Sequence, residues 1–136
     1  MQKMIKITTS NEVSVLDFPV NDSENCTQKL IGFYQAIGCN FIEIVRPQYI
    51  PSYMIEFQRL VMIVDENGLM NDKDINIIGS IFYGTADHGS PIVGDILIVT
   101  EELTPEGPDL VGFDEAHAEE IAKLIRILLN YAKSMR

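Results

Sequence analysis

The side chains best able to do chemistry in this sequence are carboxylates. Glu101, Glu102, Glu106, Asp109, Asp114, Glu115, Glu119 and Glu120 are eight acids within twenty residues, with no Lys or Arg among them. Such a run is either a solvated acidic stretch leading into a helix or a negative surface that docks a basic partner. Carboxylates held near phosphate spacing can also imitate DNA in front of a DNA-binding protein. Glu101, Glu102, Glu106, Asp109, Asp114 and Glu115 are therefore the first candidates for a binding site.

Groups suited to bond-making are sparser. Asp87-His88-Gly89-Ser90 contains the residue types of a nucleophile and base. Members of a catalytic triad normally come from distant segments, so the tetrapeptide reads as a polar loop before Pro91. His117 has no second His or Cys near it to complete a zinc site. Asp65-Glu66-Asn67-Gly68 begins like a calcium loop but lacks the alternating ligands and closing Glu beyond Gly68. The phosphate-cradling patterns GxGxxG and GxxxxGK[ST] are absent, as is GxSxG. No catalytic residue, metal or cofactor is expected. A second candidate set is Arg46, Tyr49, Tyr53 and Arg59, around a segment bracketed by Pro47 and Pro51. Two arginines and stacking rings would suit a small anionic ligand such as a nucleotide.

These residues belong to a chain of 136, the size of one domain. A chain this long buries about two thirds of its unfolded surface and needs no disulfide or metal to fold. Cys26 and Cys39 stand apart, which suits free thiols in a reducing compartment. The beginning lacks the apolar core of a signal peptide. No apolar run approaches the roughly 18–20 residues of a membrane helix. A cytoplasmic location is expected. The formal charge is −10, which disfavours contact with nucleic-acid phosphates. Between Leu60 and Ala122, fourteen acids face one base, Lys73.

Periodicity predicts an α+β fold. A mainly antiparallel, mixed sheet of about five strands is expected, with two or three packing helices including a long C-terminal one. Met4–Thr8 and Glu12–Asp17 read as a hairpin turning at Asn11. Leu30, Phe33, Tyr34 and Ile37 form the apolar stripe of a helix within residues 24–37, closed by Gly38. Residues 39–45 read as a strand. Leu60–Val64 is a continuous apolar run, expected to be a strand buried on both faces. Asn71–Asp74 would cap a short helix over residues 75–83. Pro91 opens a strand through Val99, with Gly94 marking a bulge or close approach. The expected organisation is a core of residues 1–100, an acidic loop of 101–113 and a helix of 114–136 capped by Asp114.

That last helix carries more apolar surface than one core contact uses. Ala118, Ile121, Ala122, Ile125, Leu128, Leu129 and Ala132 form a broad face, and Leu124, Ile127 and Tyr131 a second stripe. A surface helix normally shows one apolar stripe. A small domain has few further layers to cover the second, so a homo-oligomer is expected, most simply a dimer.

The middle of the chain also resembles a known family. Ile37-Gly38-Cys39, Ile42-Glu43-Ile44-Val45 and Val64-Asp65-Glu66-Asn67-Gly68-Leu69 are followed by Asn76-Ile77-Ile78-Gly79-Ser80-Ile81 and Ile92–Val99. Together they resemble a family of small proteins from phages, plasmids and Gram-positive bacteria, catalogued as a domain of unknown function. The likeness spans about residues 5–99 and leaves out the final helix. It supplies no catalytic residue and implies a mobile-element context. The expected function is that of a non-enzymatic accessory protein binding itself and a basic host protein. The alternatives are a small-molecule, nucleotide-like binder and a DNA mimic.

Overall fold

The computed structural model describes residues 2–20, 28–47, 59–84 and 90–134. It is an α+β fold with a six-stranded sheet between helices. Strand β1 (Lys3–Ile7) is followed by β2 (Val13–Asp17), α1 (Gln28–Ile37), β3 (Ile42–Val45) and β4 (Arg59–Asp65). Then come α2 (Ile77–Tyr83), β5 (Ile96–Thr104), β6 (Gly107–Val111) and α3 (Glu115–Ser134). The strand order is β2-β1-β5-β4-β3, with β6 paired to β5, and all these pairs are antiparallel.

Period-two alternation in the central strands divides the core into two layers. Ile5 and Ile7, Leu60, Met62 and Val64, and Ile96 and Ile98 point to one face. There they meet Ile78 and Phe82 of α2 and Ala118, Ile121, Ala122, Ile125 and Leu129 of α3. Val61, Ile63, Leu97 and Val99 point to the other face, against Phe33 and Ile37 of α1. Phe18 meets Phe33 edge to face, with ring centroids 5.6 Å apart. The apolar run of β4 is thus buried on both faces, as its composition predicts. Burying each large apolar side chain contributes roughly 1.5–3 kcal/mol, so both layers are needed.

Strand β5 is the longest, and it outruns β1. Its first part pairs with β1 through Ile96↔Ile7 and Ile98↔Ile5. Beyond that it pairs with β6, from Thr100↔Val111 to Thr104↔Gly107. Strand β6 occupies the fork, and Phe113 just after it exchanges two backbone hydrogen bonds with Lys3, of 2.7 and 2.8 Å. Gly112 is required at this junction, because a Cβ there would lie 2.6 Å from the Lys3 carbonyl oxygen.

The short helix α2 differs from expectation at its start. Its N-cap is Asn76, not a residue of Asn71–Asp74. Asn76 is fully buried. Its Oδ1 accepts from Gly79 N at 2.9 Å, and its Nδ2 donates to the carbonyls of Ile7 and Gly94, both at 3.0 Å. Its own N–H donates to Ile92 O at 2.8 Å. Ile78 and Phe82 point inward, whereas Ile81 is half exposed. The predicted strand from Pro91 begins only at Ile96, because Gly94 adopts φ +82, outside extended geometry. Gly38, after α1, has φ +65, as its position implied. The part of the first helix before Gln28 lies outside the described residues.

Asn76→Ala would strand two carbonyls and one amide in the core. At roughly 1–3 kcal/mol for each buried group left unpaired, the loss should exceed about 2 kcal/mol. Urea denaturation checks this. A midpoint within error of wild type would show that solvent or rearrangement serves these groups instead.

Candidate protein-binding surface

The acidic segment is strand, not loop. Residues 101–104 complete β5, and 107–111 form β6. Pro105 and Gly107 fit the second and fourth positions of a type I turn, and Gly107 takes φ +113. Thr104 Oγ1 donates to Gly107 O at 2.6 Å and closes the turn. Thr100, Leu103, Leu110 and Val111 supply β-forming residues between the acids. The expected acidic loop of 101–113 is therefore a hairpin, followed at once by α3.

This hairpin sorts the predicted acids. Glu101 is buried, and both its oxygens accept from the Arg46 guanidinium, at 2.9 and 3.1 Å. It is a structural anion and leaves the predicted docking set. Strand alternation turns it to the α1 side, whereas Glu102 points the other way. Glu102 is exposed and stands directly opposite Asp109 in the ladder. Glu106 is exposed at the tip. Asp109 is exposed but carries Lys29 Nζ at 3.1 Å. Lys29 also donates to the Leu110 carbonyl and lies 5.2 Å above the Phe18 ring centroid.

Helix α3 contributes the remaining acids. Asp114 caps it as predicted, Oδ1 accepting from His117 N at 2.9 Å, with His117 Nδ1 2.6 Å from Oδ2. The backbone N–H of His117 holds the Asp114 carboxyl below the usual carboxylate range, with the imidazole adding to the effect. Glu115, Glu119 and Glu120 are exposed. Lys3, held by Asp17, is raised above its ordinary value mainly by that hydrogen bond, with smaller contributions from Glu115 and Glu119. Lys3, Lys29 and Arg46 are thus each engaged with a particular acid, whereas Glu102 and Glu106 have no ion-pair partner among the described residues.

Of the second candidate set, Arg46 alone has its side chain among the described residues. The Arg46 fork is occupied by Glu101. Tyr49 and Tyr53 lie outside the described residues, as does the Arg59 side chain; the Arg59 backbone stands opposite Glu101 in the sheet. Of Asp87–Ser90, only Ser90 is described, on the wall of a cavity of about 150 Å³ with Glu43, Glu66 and Tyr83. Among the described residues no group of three or more His, Cys, Asp or Glu is gathered to hold a metal ion. Cys39 is half-buried, and burial, then the nearby Asp65, pushes its thiol up, away from the reactive thiolate. Asp65 itself is buried at the end of β4, with Lys73 Nζ 2.5 Å from Oδ2 and Asn67 N donating to Oδ1. The second apolar stripe of α3 lies off the sheet. Ile127 and Tyr131 are 53% and 64% exposed, with Leu124 half-buried beside them. No helix of the described residues is long and apolar enough to cross a membrane.

Two tests separate structural acids from the surface. Arg46→Ala leaves the Glu101 carboxylate buried beside no fork and should lower the denaturation midpoint; Arg46→Met with Glu101→Leu should restore it. A midpoint unmoved by Arg46→Ala would make the pair dispensable. For Asp114, the folded value lies below the unfolded one. Its stabilisation is full above about pH 4 and is lost as pH falls further. Asp114→Asn, which keeps the cap, should flatten that acid limb in a melting-temperature series; an unchanged limb would count against the cap's charge.

Comparison with protein-family models, with curated proteins and with solved structures finds no match to this chain.

Proposed function

We propose that this is a non-enzymatic accessory protein that acts by binding a basic protein. The docking surface would be the exposed acids of the β5–β6 hairpin, Glu102, Glu106 and Asp109, with Asp114 and Glu115 at the start of α3. One observation carries this reading. Glu102 and Asp109 face each other across two strands, both exposed, with Glu106 at the turn beyond them. Like charges directly opposite in a ladder weaken it. Lys29 offsets Asp109 within the fold, so Glu102 and Glu106 carry the exposed charge that a cationic partner would meet. The net charge of −10 adds long-range attraction for a basic surface and speeds encounter. The resemblance to phage and plasmid proteins supports a mobile-element setting, with a host protein as the partner.

The nucleotide-like alternative has less support, since Arg46 would have to abandon Glu101 to bind an anion.

The triple variant Glu102→Lys, Glu106→Lys and Glu115→Lys changes exposed positions only and should fold. Wild-type protein immobilised as bait should retain a basic protein from host extract at physiological salt and release it in 1 M salt, where the Debye length is about 3 Å. The triple variant should fail to retain that protein. Equal retention by wild type and variant would remove the hairpin from the binding surface.

A further inference from the structure

We infer that the cavity of about 150 Å³ between the β3–β4 ladder and α2 is a socket for a single arginine side chain. That this arginine belongs to the basic partner rests on the reading above; the chemistry of the socket does not. Alternation fixes which residues face it. In the ladder Glu43 stands opposite Val64 and Val45 opposite Met62, and the pairing runs on to Phe41, whose carbonyl accepts from Glu66 N at 3.1 Å. Glu43, Val45, Val64 and Glu66 therefore share one face of the sheet. Val45 and Val64 are buried and form an apolar floor. Glu43 and Glu66 are exposed diagonal neighbours, about 7–8 Å apart at the backbone.

The facing wall is fixed by hydrogen bonds and close packing. The Ile92 carbonyl accepts from Asn76 N at 2.8 Å and from Ser80 Oγ at 3.2 Å, and Ile92 N donates to the same Oγ at 3.0 Å. Val93 packs against Gly68, where a Cβ would lie 2.5 Å from Val93 Cγ2. Tyr83, half-buried, lines this side as well. The space is thus preformed, and an apolar cavity of about 150 Å³ has room for one benzene-sized group.

Charge and shape choose the occupant. Three of the lining residues are acids and none is a base. Asp65 is engaged by Lys73, whereas Glu43 and Glu66 have no ion-pair partner among the described residues. An arginine brings an apolar stem for the valines, a flat guanidinium that stacks on an aromatic ring, and donors enough for two carboxylates. A lysine ammonium is a compact, strongly hydrated point charge and matches the pair less well. An anionic ligand would be repelled. The socket stands apart from the acidic hairpin, because β4 meets Glu101 at Arg59 and reaches the cavity only at Val64 and Asp65, about 20 Å along the strand.

The probe is N-acetyl-arginine methylamide, titrated into the full chain and followed by amide NMR. Shifts should concentrate at Val45, Val64, Ile92 and Val93 and saturate with a Kd on the order of 1 mM, the scale of so small a fragment. The lysine counterpart should bind about threefold more weakly or worse. Glu43→Gln with Glu66→Gln alters two exposed side chains, should leave circular dichroism and melting temperature intact, and should weaken the arginine probe about tenfold. The hairpin variant bearing lysine at 102, 106 and 115 should bind the probe as wild type does. No shifts at about 20 mM probe, equal binding of the lysine probe, an unweakened double variant, or loss of binding in the hairpin variant would each overturn the inference. Wild-type protein that binds the probe but retains no basic protein from extract would uphold the socket and remove the docking reading instead.

Discussion

The carboxamide of Asn76 ties three parts of the fold to one buried side chain. Its three hydrogen bonds reach the end of β1, the approach to β5 and the first turn of α2. The approach to β5 is irregular because Gly94 sits at φ +82, and its N–H goes to Asp74 O at 2.7 Å rather than to a strand. The Asn76–Gly94 bond, with Ser80 Oγ on Ile92 and Thr9 N on Asp95, fixes this approach ahead of the Ile7↔Ile96 pair that opens β5. Where β5 starts decides which residues lie opposite Ile7, and hence which side of the sheet each later side chain takes. A slip of one residue would exchange Glu101 with Glu102, burying the acid that now faces water. The charge pattern of the hairpin is thus a consequence of a buried polar group some distance away in the sequence.

The distribution of bases follows a single logic. Lys3, Lys29, Arg46 and Lys73 are each bound to a specific carboxylate, and Arg126 is bound to the Val13 carbonyl. With ten bases against twenty acids, positive charge used inside the fold is not available to neutralise the surface. The acidic character of the hairpin and of the start of α3 is therefore a remainder, shaped by which acids the framework needs. That is why Glu101 and Glu102, adjacent in sequence, have opposite roles.

Elements with one strong signal were legible in the sequence. The apolar run of β4, the stripe of α1 with Gly38 behind it, and Asp114 at the head of α3 all lie where their chemistry put them. Elements with competing signals were not. Asn71 to Asp74 offer better-looking caps than Asn76, whose apolar neighbours suggest core rather than cap; only the tertiary partners Ile7 and Gly94 distinguish it. Acids and prolines hid the hairpin of residues 96–111, although Pro105 and Gly107 at turn spacing were the signal that could have found it. The alternation that separates Glu101 from Glu102 becomes readable only once that stretch is recognised as strand, and the pairing of Glu101 with Arg46 lies 55 residues apart.

Among the described residues the sheet has free borders at β2, β3 and β6, and a bare border invites a foreign strand. Here two of the three carry a cation on the backbone, Arg126 on Val13 O of β2 and Lys29 on Leu110 O of β6, while β3 is only four residues long. Open-ended growth of one sheet into the next is obstructed on every side. Whatever higher assembly this molecule enters is steered away from fibres and toward finite, countable complexes held by side chains.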